Sequence, residues 1–163
     1  MSEYRVLAAR LSNELKTLDR VVHAAQSQCS KAQKIGDPDF YQAAALSLQN
    51  YYMGAERIFE EVAKKVDLSL PTGAGTHREL LEQMGLEIPN TRPPLLSEET
   101  ITQVNTYRAF RHVVIHRYGF ELYPDRVAAL VEQLAGCHVL LTRDVKAFCQ
   151  FLLELDQSLS ENL

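Results

Sequence analysis

Residues 124–155 read PDRVAALVEQLAGCHVLLTRDVKAFCQFLLEL, and the fold class turns on them. Their apolar residues Val127, Leu130, Leu134, Cys137, Leu141, Val145, Phe148, Leu152 and Leu155 recur every three or four positions, the spacing of one helical face. Pro124 heads the run, where a helix loses nothing by the missing N–H and gains from the fixed φ. The spacing predicts one long helix with a continuous apolar stripe. A stripe of that length needs other helices to cover it.

The rest of the chain supplies them. All six prolines, at 38, 71, 89, 93, 94 and 124, fall in four short breaks, and between the breaks the apolar residues keep the helical period with no clean alternation. A first helix is expected over about 3–34, with Tyr4, Leu7, Leu11, Leu18, Val21, Val22 and Ala25 on one face and Leu15 widening it. Gly36-Asp37-Pro38-Asp39 breaks it, and Asp37 or Asp39 can cap the next helix. That second helix is expected over about 39–67, through Ala44, Leu48, Tyr51, Tyr52, Ala55, Ile58, Phe59 and Val62. After the loop from Pro71 to Gly75, Thr76 can cap a short helix ending near Gly85. The three prolines between Ile88 and Leu96 predict an extended connector. Ser97-Glu98-Glu99-Thr100 opens a fourth helix: Ser97 is the cap, acidic residues suit the first turn, and Thr100 stands where a capping box would have Glu or Gln. That helix is expected to end near Gly119. Four long or medium helices and one short one make an all-α antiparallel bundle, a single domain over 1–163 whose polar end, 157–163, is expected to fray.

Composition agrees. The chain has 163 residues, 46% of them apolar and 23% charged, with a formal net charge of −4 and a mean hydropathy of −0.18. A chain of this size can bury roughly 70% of its unfolded surface in one core. No apolar run approaches the ~18 residues of a membrane span. Glu3 and Arg5 stand where a secretory leader would need its apolar segment, so no leader is expected. Cys29, Cys137 and Cys149 are odd in number and lie within helical patterns, which reads as reduced thiols in a cytoplasmic protein.

The fourth helix carries the chemistry. From Thr100 to Phe120 there is no Asp or Glu, yet the segment holds Arg108, Arg111, His112, His116 and Arg117. Within an acidic protein this is a concentrated positive surface suited to an anion, and phosphate is the commonest biological one. Arg108, His112 and His116 lie along one ridge at intervals of four. Arg111 and His116 are five residues apart, about 140° around the axis and about 7.5 Å along it. One straight helix does not aim both at a flat target, whereas a crossing with a second copy, or a distorted helix end near Gly119, could. His116 lies in the last turn, where the negative helix end favours its protonated form. A histidine titrating near neutrality beside a fixed guanidinium is a workable proton carrier and phosphate clamp.

Arg111-His112-Val113-Val114-Ile115-His116-Arg117-Tyr118 fits the pattern Arg, four residues, His, any residue, Tyr. Late in the penultimate long helix of a small all-α protein, this resembles the HepT-like ribonuclease toxins of the HEPN superfamily. The segment 51–60, YYMGAERIFE, looks like that family's second helix, and His77-Arg78-Glu79-Leu80-Leu81 resembles the start of its short middle helix. The likeness covers nearly the whole chain. It implies a metal-independent endoribonuclease toxin that needs no cofactor, with Arg111 and His116 as the catalytic pair. The ribose 2′-hydroxyl would attack the adjacent phosphate, with Arg108, His112 and Arg117 lending support to the bound RNA (tRNA or mRNA). His112 fills a position that is often Asn in the family. Tyr118 matches the tyrosine that a separately encoded minimal nucleotidyltransferase antitoxin modifies with AMP. Family members are homodimers whose motif helices face each other.

Plainer readings stand beside these. Arg111 can be an ion-pair partner of Glu56 or Glu60, His116 a structural histidine, and Tyr118 a ring packed at the helix end. Zinc is disfavoured: Val113 stands where a His-Glu-x-x-His site has its glutamate, and no Glu-x-x-His occurs. Tyr51 and Tyr52 read as core, His77 as structural, and His23 and His138 carry no assigned function. The alternative to a ribonuclease is a non-catalytic HEPN module that binds nucleotide or assists a partner nucleotidyltransferase; a third is a helical interaction module whose motif helix forms a dimer seam.

Overall fold

The computed structural model describes residues 3–116 and 123–162, with side chains as far as Val113 and again from Tyr123. The described chain is an all-α bundle: α1 (Glu3–Ile35), α2 (Asp39–Val62), the short α3 (Thr76–Met84), α4 (Glu98–His116) and α5 (Pro124–Glu161). No helix among the described residues is long and apolar enough to cross a membrane.

Cross-links set the helix directions. Arg5 donates to Asp156 at 2.6 Å, the Ser12 hydroxyl meets Cys149 Sγ at 3.9 Å, and His138 meets Asp19 at 3.6 Å. As α1 advances, its partner on α5 retreats by a similar number of residues, so the two run antiparallel. Arg57 with Glu14, Arg10 with Glu61, and Ser47 with Gln28 give the same relation for α1 against α2. The stripe of α1 is buried from Leu7 through Leu11, Leu15, Leu18, Val22 and Ala25 to Cys29, so Leu15 belongs to it fully. Removing each large apolar side chain from water contributes roughly 1.5–3 kcal/mol. α5 is helical through Glu161, well into the stretch whose polarity suggests fraying. All three cysteines are buried free thiols; burial raises each one, and Cys137 is pushed up to about 12.

The ends of the elements show what the chain does locally. The Asp37 carboxylate accepts the Asp39 N–H at 3.0 Å, so of the two candidate caps it is Asp37 that serves α2. The helix expected over 39–67 is α-helical to Val62 and then widens into a π-turn over Ala63–Asp67, closed by Leu68 in the left-handed region at φ 55°. The expected Thr76 cap is corrected. Thr76 is already helical, and Gly75 precedes it at φ 75°, a conformation glycine adopts without strain, with no side-chain cap bond.

The proline-rich connector is not extended throughout. Ile88 and Arg92 exchange backbone hydrogen bonds of 3.0 Å each around Asn90 at φ 59°, a tight turn that Gly, Asn or Asp makes most readily. This turn drives the Arg92 side chain inward. There it forms a two-pronged pair with Asp67, at 2.5 and 2.8 Å, and donates to the carbonyls of Gln83, Leu86 and Pro93. Both side chains are essentially inaccessible, so one ion pair fastens the connector, α3 and the π-turn together.

At the bundle's centre, Tyr51 of α2 meets the Tyr107 ring of α4 edge-on at 6.0 Å and the His138 ring of α5 at 5.5 Å. The Tyr51 hydroxyl lies 3.0 Å from His138 Nδ1. Burial holds the His138 imidazole below its ordinary value of 6.5; Asp19 pulls it back up and His23 adds to the depression. As pH falls through 6.5, the unfolded chain gains a proton there that the folded protein resists. This contribution to stability is therefore complete above that pH and declines below it. Thermal melts at a series of pH values from about 7.5 to about 5 should show this decline, and His138→Gln should flatten it.

Candidate active site

Ser97 begins α4 as a cap: its Oγ accepts the Thr100 N–H at 3.3 Å. The reciprocal half of the capping box comes from another helix. Asp144 of α5 accepts the Ser97 N–H at 3.0 Å and the Thr100 hydroxyl at 2.6 Å. Burial pushes the Asp144 carboxyl up, but hydrogen bonds from Thr100 and Ser97 and the adjacent Arg143 outweigh it and hold it low. The start of α4 is thereby pinned to α5 in a fixed register.

From that anchor the helix buries a narrow face. Thr100, Val104, Tyr107 and Phe110 are inside, and the Tyr107 hydroxyl donates to the Leu130 carbonyl at 2.7 Å. The stripe is too narrow to bury the far side, which stays polar. Arg108 is half-buried and its Nε donates to Asn105 Oδ1 at 2.7 Å, which holds the guanidinium against its own helix. Arg111 sits at the margin of the buried face, and His112 and Val113 are exposed.

Arg111 is held differently. Its Nε is buried and has no hydrogen-bond partner among the described residues. The ion pairs considered for it from sequence are not made. Glu56 is taken by His77, whose Nδ1 stands 2.9 and 2.7 Å from the two carboxylate oxygens, and Glu60 faces Lys64 at 3.9 Å. The guanidinium therefore forms no ion pair with a carboxylate among the described residues, and its Nε is shut off from water.

Beneath this stretch lies Tyr52 of α2, fully buried, its hydroxyl making no hydrogen bond of good geometry, with the Glu56 carboxylate as its neighbouring acceptor. Burial, and then the nearby Glu56 carboxylate, push that hydroxyl well above the ordinary tyrosine range, while Arg108 and Arg111 pull it back. These four side chains therefore share one electrostatic neighbourhood. Glu56 itself is buried, and His77 reaches it from the first turn of α3. Tyr51 and Tyr52 are core residues, as their spacing suggests, but Tyr52 brings a polar atom to the floor of the site. Its spacing assigns it no part there, and nothing in the chain signals one except its place four residues before Glu56 on one ridge of α2.

Of the expected site residues, Arg108, Arg111 and His112 come together on two turns of α4. His116 closes that helix, and Arg117 and Tyr118 lie outside the described residues, as does the helix end expected near Gly119. Two guanidinium groups on adjacent turns, one braced by Asn105, make a positive surface whose chemistry suits an anion.

A family model described as HepT-like protein matches residues 43–152, from early α2 to late α5, and so takes in all of α3 and α4. No curated protein and no solved structure matches the chain.

Proposed function

The chain belongs to the HepT-like family of the HEPN superfamily, and from that premise we propose that it is a metal-independent endoribonuclease, the toxin of a toxin–antitoxin pair. One observation carries the reading: Arg111 has a buried, unpartnered Nε, on a helix with no acidic residue after Glu99. A purely structural arginine in that position would be expected to hold a carboxylate, and Glu56 is committed to His77 instead.

In the proposed reaction an RNA phosphate binds Arg111, with Arg108 and Arg117 adding positive charge and His112 a further phosphate contact. The 2′-hydroxyl loses its proton as its oxygen bonds to phosphorus, the bond from phosphorus to the 5′-oxygen breaks, and that oxygen gains a proton. His116 takes part in the proton transfer, and Arg111 offsets the extra negative charge on the phosphorane. The products are a 2′,3′-cyclic phosphate and a free 5′-hydroxyl. Because Arg111 and His116 diverge by about 140° on one helix, the reaction is assigned to a cleft between the motif helices of two copies. RNA ends after cleavage test it directly: cyclic phosphate and 5′-hydroxyl ends support it. Intact RNA from folded, unmodified protein would favour a nucleotide-binding module instead.

The same reading assigns Tyr118 as the control point. A nucleotidyltransferase antitoxin would transfer AMP from ATP to the tyrosine oxygen, releasing pyrophosphate and setting a bulky anion two residues from His116. Tyr118→Phe is expected to keep cleavage and to remain toxic when the antitoxin is co-expressed. Nucleotide transfer to that variant, seen as a mass gain of one AMP, would refute the assignment.

A further inference from the structure

We propose that Tyr52 is a positioning residue for Arg111, part of a polar platform under the motif helix made by buried Tyr52 and Glu56 and braced from outside by the exposed His77. The proposal deepens the ribonuclease reading and rests on it for its kinetic arm.

Two observations meet at one place. Tyr52 is fully buried with an unpartnered hydroxyl, and Arg111, on the helix packed against it, has a buried unpartnered Nε. Buried polar atoms are nearly always satisfied, and an orphaned one asks for a reason. Phenylalanine at position 52 would fill the same volume with no orphan, so packing volume alone gives no account of the hydroxyl.

The chemistry around it does. Tyr52 and Glu56 stand four residues apart on one ridge of α2, and Arg108 and Arg111 three apart on α4. Glu56 is immobilised from a third helix, with both oxygens within 2.9 Å of His77 Nδ1. Burial keeps the Tyr52 hydroxyl protonated, and it feels both the Glu56 carboxylate and the two arginines. A protonated hydroxyl there can donate to the Glu56 carboxylate while its oxygen accepts from Arg111 Nε–H. Reorientation of the two side chains closes this chain, and phosphate drawing on the guanidinium's outer nitrogens favours it. The platform then holds the fork still as charge develops on the phosphorane, a gain made in the transition state rather than in binding.

Tyr52→Phe separates this from a packing role, with His77→Gln as the second variant. Three readouts are taken on the full chain: the thermal melt, the arginine Nε–H signals in a proton–nitrogen spectrum, and steady-state cleavage of an RNA oligonucleotide. The Arg111 signal is the one that disappears in Arg111→Lys. Tyr52→Phe should melt at or above the parent, shift or broaden the Arg111 signal, and lower kcat by about tenfold or more with KM changed less than about twofold. His77→Gln should move the same signal and lower kcat by less. An unmoved Arg111 signal in Tyr52→Phe overturns the proposal whatever the kinetics, and so does a moved signal with unchanged kcat in an active parent. Should the parent leave RNA intact, the ribonuclease reading falls alone and the Arg111 signal decides this one.

Discussion

Replacing Arg111 with alanine is expected to lower RNA cleavage by about 10²–10³-fold or more, the range seen when one fixed donor to a developing oxyanion is removed. The fold should survive, because among the described residues the Arg111 Nε bonds to nothing and its charge pairs with no carboxylate. The loss in stability should stay near that of a trimmed aliphatic stem, about 1 kcal/mol. Arg111→Lys should recover little, since it restores the charge without the planar fork. Cleavage rates and melts measured on the same preparations check this. A variant that loses activity only because it unfolds would make Arg111 a structural residue.

The largest effect on stability should come from Arg92. Its side chain and that of Asp67 are wholly buried, and Arg92→Met leaves the carboxylate uncompensated inside the protein. Breaking a buried pair from one side costs about 3–5 kcal/mol, which in a domain of this size lowers Tm by about 10 °C or more. The double variant Arg92→Met with Asp67→Leu should regain most of that loss, because the cost lies in the unpaired charge more than in the missing attraction. Thermal melts of the two single variants and the double test this; a double variant no better than Arg92→Met alone would mean that the carbonyl bonds to Gln83, Leu86 and Pro93 carry the stability.

The helices are legible because each apolar stripe repeats locally. The stripe of α1, the Pro124 start of α5 and the Ser97 cap can all be read within a few residues. Features made by residues far apart in the chain are not legible. The partner that completes the α4 cap is Asp144, 47 residues beyond Ser97, and no local pattern points to it. The Arg92 turn is hidden in a proline-rich stretch that reads as extended, because what organises it is Asp67 on the π-turn 25 residues earlier. The site divides in the same way. Arg108, Arg111 and His112 share one helix and stand out by charge and spacing. Tyr52 resembles any core aromatic, and the Glu56–His77 pair spans 21 residues, so their place under Arg111 emerges only when α2, α3 and α4 are packed together.

Whether this chain cuts RNA with its own side chains is tested most directly by adding it to total tRNA and mRNA. The protein is made without an antitoxin, excess chelator is present, and His116→Ala runs alongside. Cleavage is expected to persist in chelator and to disappear in the variant. Cleavage stopped by chelator, or retained by His116→Ala, would contradict the proposed mechanism.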